Sequence, residues 1–208
     1  MTVLITAIEP QKRKKDRLNI YINGQFGFGI SSKLAEGIAV GQSLTATEIE
    51  KLQTLEMIGR AKEATNNYLS YRPRSVQEVR RHLSKKEYSD KVIDEVIEDL
   101  SQADLLDDST FVNYWIEQRE TFRPRGRFAL RQELYQKGIN TEIIDAALAQ
   151  VDEYDSAFRA GKKKAIQLAG TEEMEFRKKL GQFLKRRGFE YEIIAEVTEA
   201  LRDSVIVE

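Results

Sequence analysis

The sequence predicts a mainly α chain, built of tandem three-helix repeats behind a small N-terminal antiparallel β-hairpin element. Three observations predict it. The first fifty residues alternate polar and apolar around an Asn-Gly pair. From about Glu56 onward the apolar spacing is helical and no further strand pattern occurs. Within that helical region the chain resembles itself at offsets of 51 and then 50 residues, a period that marks repeated supersecondary units.

The β element comes first. Arg17–Ile22 alternates as a half-buried strand does, Asn23-Gly24 is the preferred pair for a type I′ hairpin turn, and Gln25–Ile30 alternates again. Val3–Ile8 reads as a third strand, joined to the hairpin through the basic run Lys12–Lys15, which reads as a solvated loop or a nucleic-acid contact. Thr47 and Glu50 have the spacing of a capping box, so a helix is expected to begin there.

The repeats align through Leu83–Val96, Leu134–Ala147 and Leu184–Val197. Each unit holds three helices. In the first they are placed at about Glu56–Ser70, from Ser75 with Val76, Val79 and Leu83 on one face, and from near Ser89 with Val92, Ile93, Val96, Ile97 and Leu100 on one face. Ser75 and Glu78 form a second capping-box pattern. Gly138 and Gly188 stand where a helix ends in a left-handed residue. Glu87 holds that place in the first repeat, at a cost of about 1 kcal/mol if the geometry is kept. Arg72-Pro73 and Arg123-Pro124 separate first from second helices. The expected division is residues 1–52 for the β element, then repeats at 53–103, 104–152 and 153–208.

The net charge of −1 conceals segregation. The windows Arg72–Lys86, Arg123–Lys137 and Glu173–Arg187 hold 17 of the 33 basic residues but only 4 of the 34 acidic ones. A near-neutral chain of this kind still presents a polyanion-binding face. The candidate binding residues are Arg72, Arg74, Arg80 and Arg81, then Arg123, Arg125, Arg127 and Arg131, then Lys178, Lys179, Lys185, Arg186 and Arg187. Leu130 and Leu134 are expected to pin the middle basic helix to the core. That turns Arg123, Arg125 and Arg131 outward; Arg127 aligns instead with the core-like Val76. Arginine matches phosphates and carboxylates alike, so the partner is either DNA or an acidic protein surface. The bland reading is a solvated helix face.

Other features read as structural. Phe111, Trp115 and Arg119 recur at helical spacing, which fits core packing better than base stacking. Asp107 and Asp108 precede a helix and read as N-caps, not as a metal cluster with Asp104. His82, the single histidine, has no metal partner at usual spacing and takes no role. Gly27-Phe28-Gly29 opens no helix and is no dinucleotide loop. With no cysteine, no phosphate-cradling loop and no zinc-protease motif, the sequence predicts no enzyme, no metal and no cofactor. A cysteine-free chain without a charged leader or an apolar run near roughly 20 residues is expected to be cytoplasmic and away from membranes.

The ordered set Leu106-Asp107-Asp108, Phe111, Trp115, Arg119, Arg123-Pro124-Arg125-Gly126, Leu130-Arg131, Glu133-Leu134 and Lys137-Gly138-Ile139 resembles the central pattern of the RecX family, bacterial negative regulators of the RecA recombinase. Arg74, Ser75, Glu78 and Leu83 carry the likeness into the first repeat, and it spans roughly Ala61 to Leu201. The β segment looks like the extension of some members. The resemblance implies an elongated, curved solenoid of three-helix modules. It implies binding to RecA and to RecA–single-stranded DNA filaments, and suppression of strand exchange and of the recombinase's ATP hydrolysis in DNA repair, recombination and the SOS response. It brings no catalytic residues or cofactor. DNA affinity that rests on Lys/Arg contacts alone is expected to be weak and non-specific, and the chain is expected to be a monomer. Some members carry a further repeat. A helix-turn-helix DNA binder acting without a recombinase is the alternative, but its basic residues would gather on one recognition helix instead of three.

Overall fold

The computed structural model describes residues 2–206. The chain divides into two compact units. One runs to Tyr71 and resumes at Val79–Ala103; the other takes Arg72–Glu78 and everything from Asp104 onward.

The first unit opens with β1 (Thr2–Pro10), β2 (Arg17–Ile22), β3 (Gln25–Ser31) and β4 (Ser43–Thr45). They form one antiparallel sheet in the order β3-β2-β1-β4. The β2–β3 turn has Asn23 and Gly24 at φ 49° and 83°, the two left-handed residues of a type I′ turn. Ile5, Ile20 and Ile30 are fully buried on one face, as the alternation predicts. β4 is an element the sequence reading lacks, since three residues are too few to show alternation.

β4 also moves the first helix. Helix α1 (Ala46–Leu69) starts two residues earlier than expected, with Thr45, not Thr47, as its N-cap. Glu48 donates its N–H to Thr45 Oγ1 at 3.2 Å, and the Glu48 carboxylate accepts the Thr45 N–H at 2.7 Å. Two overlapping Thr-x-x-Glu frames compete here. The frame at Thr45 wins because its backbone is already extended by pairing with Thr2 (φ −79°, ψ 159°). The helix then runs unbroken for 24 residues, so no interruption separates residue 52 from 53. Buried Glu56 ties it to the sheet. Its carboxylate pairs with Arg17 of β2 and accepts the Ser31 N–H at 2.8 Å.

Helix α2 (Val76–Ser84) buries Val79 and Leu83, and α3 (Asp90–Gln102) buries Val92, Ile93, Val96 and Leu100, the faces the spacing predicts. Ile97 is only half-buried. Glu87 ends α2 at φ 64°, so the left-handed geometry is kept without glycine. His82 is not idle: its ring stacks on Tyr68, centroids 4.1 Å apart.

The second unit repeats the triplet twice, as α4 (Asp108–Phe122), α5 (Arg127–Gln136) and α6 (Thr141–Leu148), then α7 (Glu153–Gln167), α8 (Glu173–Arg186) and α9 (Tyr191–Ile206). Phe111, Leu130, Leu134 and Ile144 centre one core; Phe176, Leu180, Leu184 and Val197 centre the other. Asp107 caps α4, accepting N–H from Ser109 at 3.2 Å and Thr110 at 2.6 Å. The Thr110 bond holds the Asp107 carboxyl below its ordinary range. Gly138 and Gly188 end α5 and α8 at φ 80° and 84°. Among the described residues no helix is long and apolar enough to cross a membrane.

Candidate functional site

The basic second helices begin in a seat that the chain builds twice. Ser75 donates its hydroxyl to the Lys137 carbonyl at 2.8 Å, and the Val76 N–H donates to the Asp108 carboxylate at 2.9 Å. One repeat on, the Gly126 N–H donates to the Arg187 carbonyl at 3.0 Å, and the Arg127 N–H donates to Glu153 Oε1 at 2.9 Å. Asp108 and Glu153 each open a first helix, and each satisfies an orphan donor at the start of another helix. Burial pushes both carboxyls above their ordinary range, against the hydrogen bond each accepts. Asp108 is therefore no N-cap of α4 in the expected sense; Asp107 alone does that work.

Close approach of the backbone excludes a side chain at three glycines of the two seats. A Cβ on Gly126 would overlap the Gly188 carbonyl, and one on Gly138 would lie 2.6 Å from Gln77 Cβ. Glycine at 138 and 188 thus serves both φ and close approach.

The expected contact residues fall into two groups. Many are engaged internally. Glu78 chelates Arg72 (3.0 and 3.1 Å) and accepts Lys137 at 2.7 Å, instead of closing a capping box on Ser75. Burial works against this carboxylate, but Arg72 and Lys137 hold it below its ordinary range. Glu133 gathers three donors: the Trp115 indole N–H and Arg119 Nε, both at 2.8 Å, and Arg125 at 3.0 Å. Arg119 and Lys137 each lie 4.8 Å from the Trp115 ring centroid, two cation–π contacts on a half-buried ring. Arg80 pairs with Asp94 at 2.6 Å, and Arg131 pairs with Asp145 at the equivalent place. Arg127 donates to the Val151 carbonyl at 2.7 Å, and Lys179 pairs with Glu175 at 2.6 Å. Arg125 and Arg131 are thus committed to acids, not simply outward. Arg74 is half-buried.

The other group is exposed and joins no ion pair among the described residues. It comprises Arg81, Arg123, Lys178, Lys185 and Arg186. Arg187 adds to it, half-buried with its guanidinium over Phe183 and one N–H on the Pro124 carbonyl at 3.1 Å. Burial, then the charges of Arg123 and Arg125, lower its pKa. At the first seat Glu78 pairs with both Arg72 and Lys137. At the second, Ala129 stands in the place of Glu78, while Arg123 and Arg187 stand in those of the two cations. At the second seat Arg123 and Arg187 therefore lack a shared acid, and Arg123 lowers the pKa of Arg187. The sequence reading missed this, although the exchange of Glu78 for Ala129 was legible in the repeat alignment.

Four family models match in order along the chain. They are the regulatory protein RecX N-terminal domain at residues 3–45 and the first, second and third three-helix domains of RecX at residues 61–100, 107–148 and 151–198. A regulatory protein RecX of Clostridioides difficile (strain 630) is 30% identical over 203 residues, 95% of either chain. The chain belongs to the RecX family of regulatory proteins. A RecX of Clostridium acetobutylicum is 30% identical over 95% of both chains. That of Halalkalibacterium halodurans is longer, with 30% identity over 93% of this chain and 76% of the relative. A crystal structure of regulatory protein RecX superposes with a TM-score of 0.74 at 25% identity, covering 95% of this chain. RecX from Lactobacillus salivarius gives 0.65 over 71% at the same identity. The tandem three-helix architecture and the β element are thus those of RecX.

Proposed function

We propose that this RecX-family chain binds the RecA recombinase and RecA–single-stranded DNA filaments, and suppresses strand exchange and recombinase ATP hydrolysis without catalysing a reaction. The observation that carries the reading is the match to proteins named RecX over 95% of the chain, β element included. The charge distribution supports it. Each of three repeats brings a basic second helix, and the exposed, unpaired cations Arg81, Arg123, Lys178, Lys185 and Arg186 all lie on or beside those helices. Side chains not already spent on internal acids are the ones available to phosphates or to acidic recombinase residues. The four-part division of the chain at residues 52, 103 and 152, a cytoplasmic location, a monomeric state and weak non-specific DNA affinity belong to the same reading.

The test is a pull-down with purified RecA, with and without single-stranded DNA, alongside RecA-driven strand exchange. Retention by RecA and a dose-dependent fall in exchange are expected. DNA binding with no effect of or on RecA would put a recombinase-independent DNA-binding module in its place.

A further inference from the structure

The repeats place one exposed aromatic residue where the core has no use for it. Tyr71 and Phe122 occupy the same repeat position, each followed by Arg-Pro-Arg, and they are 83% and 77% exposed. In the third repeat the position holds Glu172. Each ring borders a basic cleft within its own unit. Tyr71 lies on a cleft of about 410 Å³ that also takes Lys14, Arg60 and Lys86, with Glu63 as its one acid. Phe122 lies on a cleft of about 320 Å³ lined by Lys163, Lys164 and Arg187 and by no acid. The first cleft gathers a residue of the Lys12–Lys15 run and the single histidine, neither of which the proposed function uses.

We infer that Tyr71 and Phe122 are stacking platforms for the bases of single-stranded nucleic acid, with the cations of each cleft taking its phosphates. An exposed ring beside fixed cations matches a strand whose bases are unstacked, because every base offers a π-face and every nucleotide a charge. A duplex hides those faces. The inference deepens the DNA part of the proposed function and is independent of the recombinase part.

The experiment uses the full chain, without recombinase, and a fluorescein-labelled oligothymidylate of about twenty nucleotides, longer than the roughly 4–16 that comparable binding folds cover. A strand of the same length with abasic sites is the comparison. Tyr71→Ala and Phe122→Ala should each weaken oligothymidylate binding about tenfold, the lower-middle range for loss of one stacked base. Neither should change binding to the abasic strand. Tyr71→Phe, which keeps the ring, should bind as the unaltered protein does. Lys86→Gln and Lys163→Gln should weaken both strands. Thermal melts check that each variant is folded. Alanine variants that bind oligothymidylate unchanged, or an unaltered protein that binds both strands equally, would overturn the inference. So would variants that keep the oligonucleotide but lose RecA in a DNA-free pull-down, since the rings would then be protein contacts. Failure of the RecA pull-down with these DNA results intact would sink the proposed function alone.

Discussion

The Glu78 carboxylate accepts Lys137 Nζ at 2.7 Å while chelating Arg72, so one acid holds two cations of successive repeats. Glu78→Ala should therefore cost about 2 kcal/mol at neutral pH, since it leaves two partly buried cations without their shared acid. Because this carboxyl is held below its ordinary range, its contribution is present above the unfolded value and is lost as pH falls through the lower folded one. Chemical denaturation of both proteins across the acid range checks this. The gap should start to narrow as pH falls below the ordinary glutamate value of about 4.3; a gap that stays constant as the pH falls further would contradict it.

Asp108 has the opposite sign. Burial raises its carboxyl, so folding favours the protonated form, and the associated stability is full below the unfolded value and lost as pH rises through the folded one. Asp108→Asn keeps an oxygen for the Val76 N–H and removes the buried charge. It should be as stable as the unaltered protein at pH 7, within about 1 kcal/mol. Asp108→Ala orphans that N–H and should cost about 1–3 kcal/mol. Denaturant midpoints of the two variants decide, and equal losses would refute the role of the hydrogen bond.

Glu87 and Gly188 hold the same left-handed corner with different neighbours. Glu87 is exposed, so Glu87→Gly should relieve backbone strain and stabilise by about 1 kcal/mol. Gly188→Ala puts a Cβ onto Ala129, 2.6 Å from its backbone nitrogen, and adds the strain of positive φ. It should cost more than 2 kcal/mol, by both mechanisms together. A tolerated alanine at 188, seen as an unchanged melting temperature, would show that the two helices are not in contact there.

Much of this was legible before the fold. The 50-residue period, the Asn23-Gly24 turn and the faces of α2 and α3 follow from periodicity, which burial enforces. The start of α1 was not legible, because two capping frames overlap and only the pairing of Thr45 with Thr2 selects one. Nor was the internal use of the arginines. Spacing places Arg125 on a helix surface, but Glu133 is shared with Trp115 and Arg119, and a shared acid is invisible until three elements meet. Trp115 is for the same reason an anchor of this network, not a fully buried core ring.

The last prediction separates exposed cations from committed ones. Arg131→Glu sets two carboxylates against each other at Asp145, so any loss of function would be mixed with lost stability. Arg123 and Arg186 join no ion pair among the described residues. The double variant Arg123→Glu, Arg186→Glu should melt within about 0.5 kcal/mol of the unaltered protein. Removing Arg123 from the second seat even relieves Arg187, whose pKa its charge lowers. Inhibition of RecA strand exchange should nevertheless fall steeply, because two attractive contacts become repulsive. The same variant should flatten the salt dependence of single-stranded DNA binding, with about 0.7 units of slope lost per phosphate contact removed. Strand exchange and DNA titrations at several salt concentrations read both effects. A double variant that inhibits as well as the original, with an unchanged salt slope, would make this face a solvated surface and move the contact elsewhere on the chain.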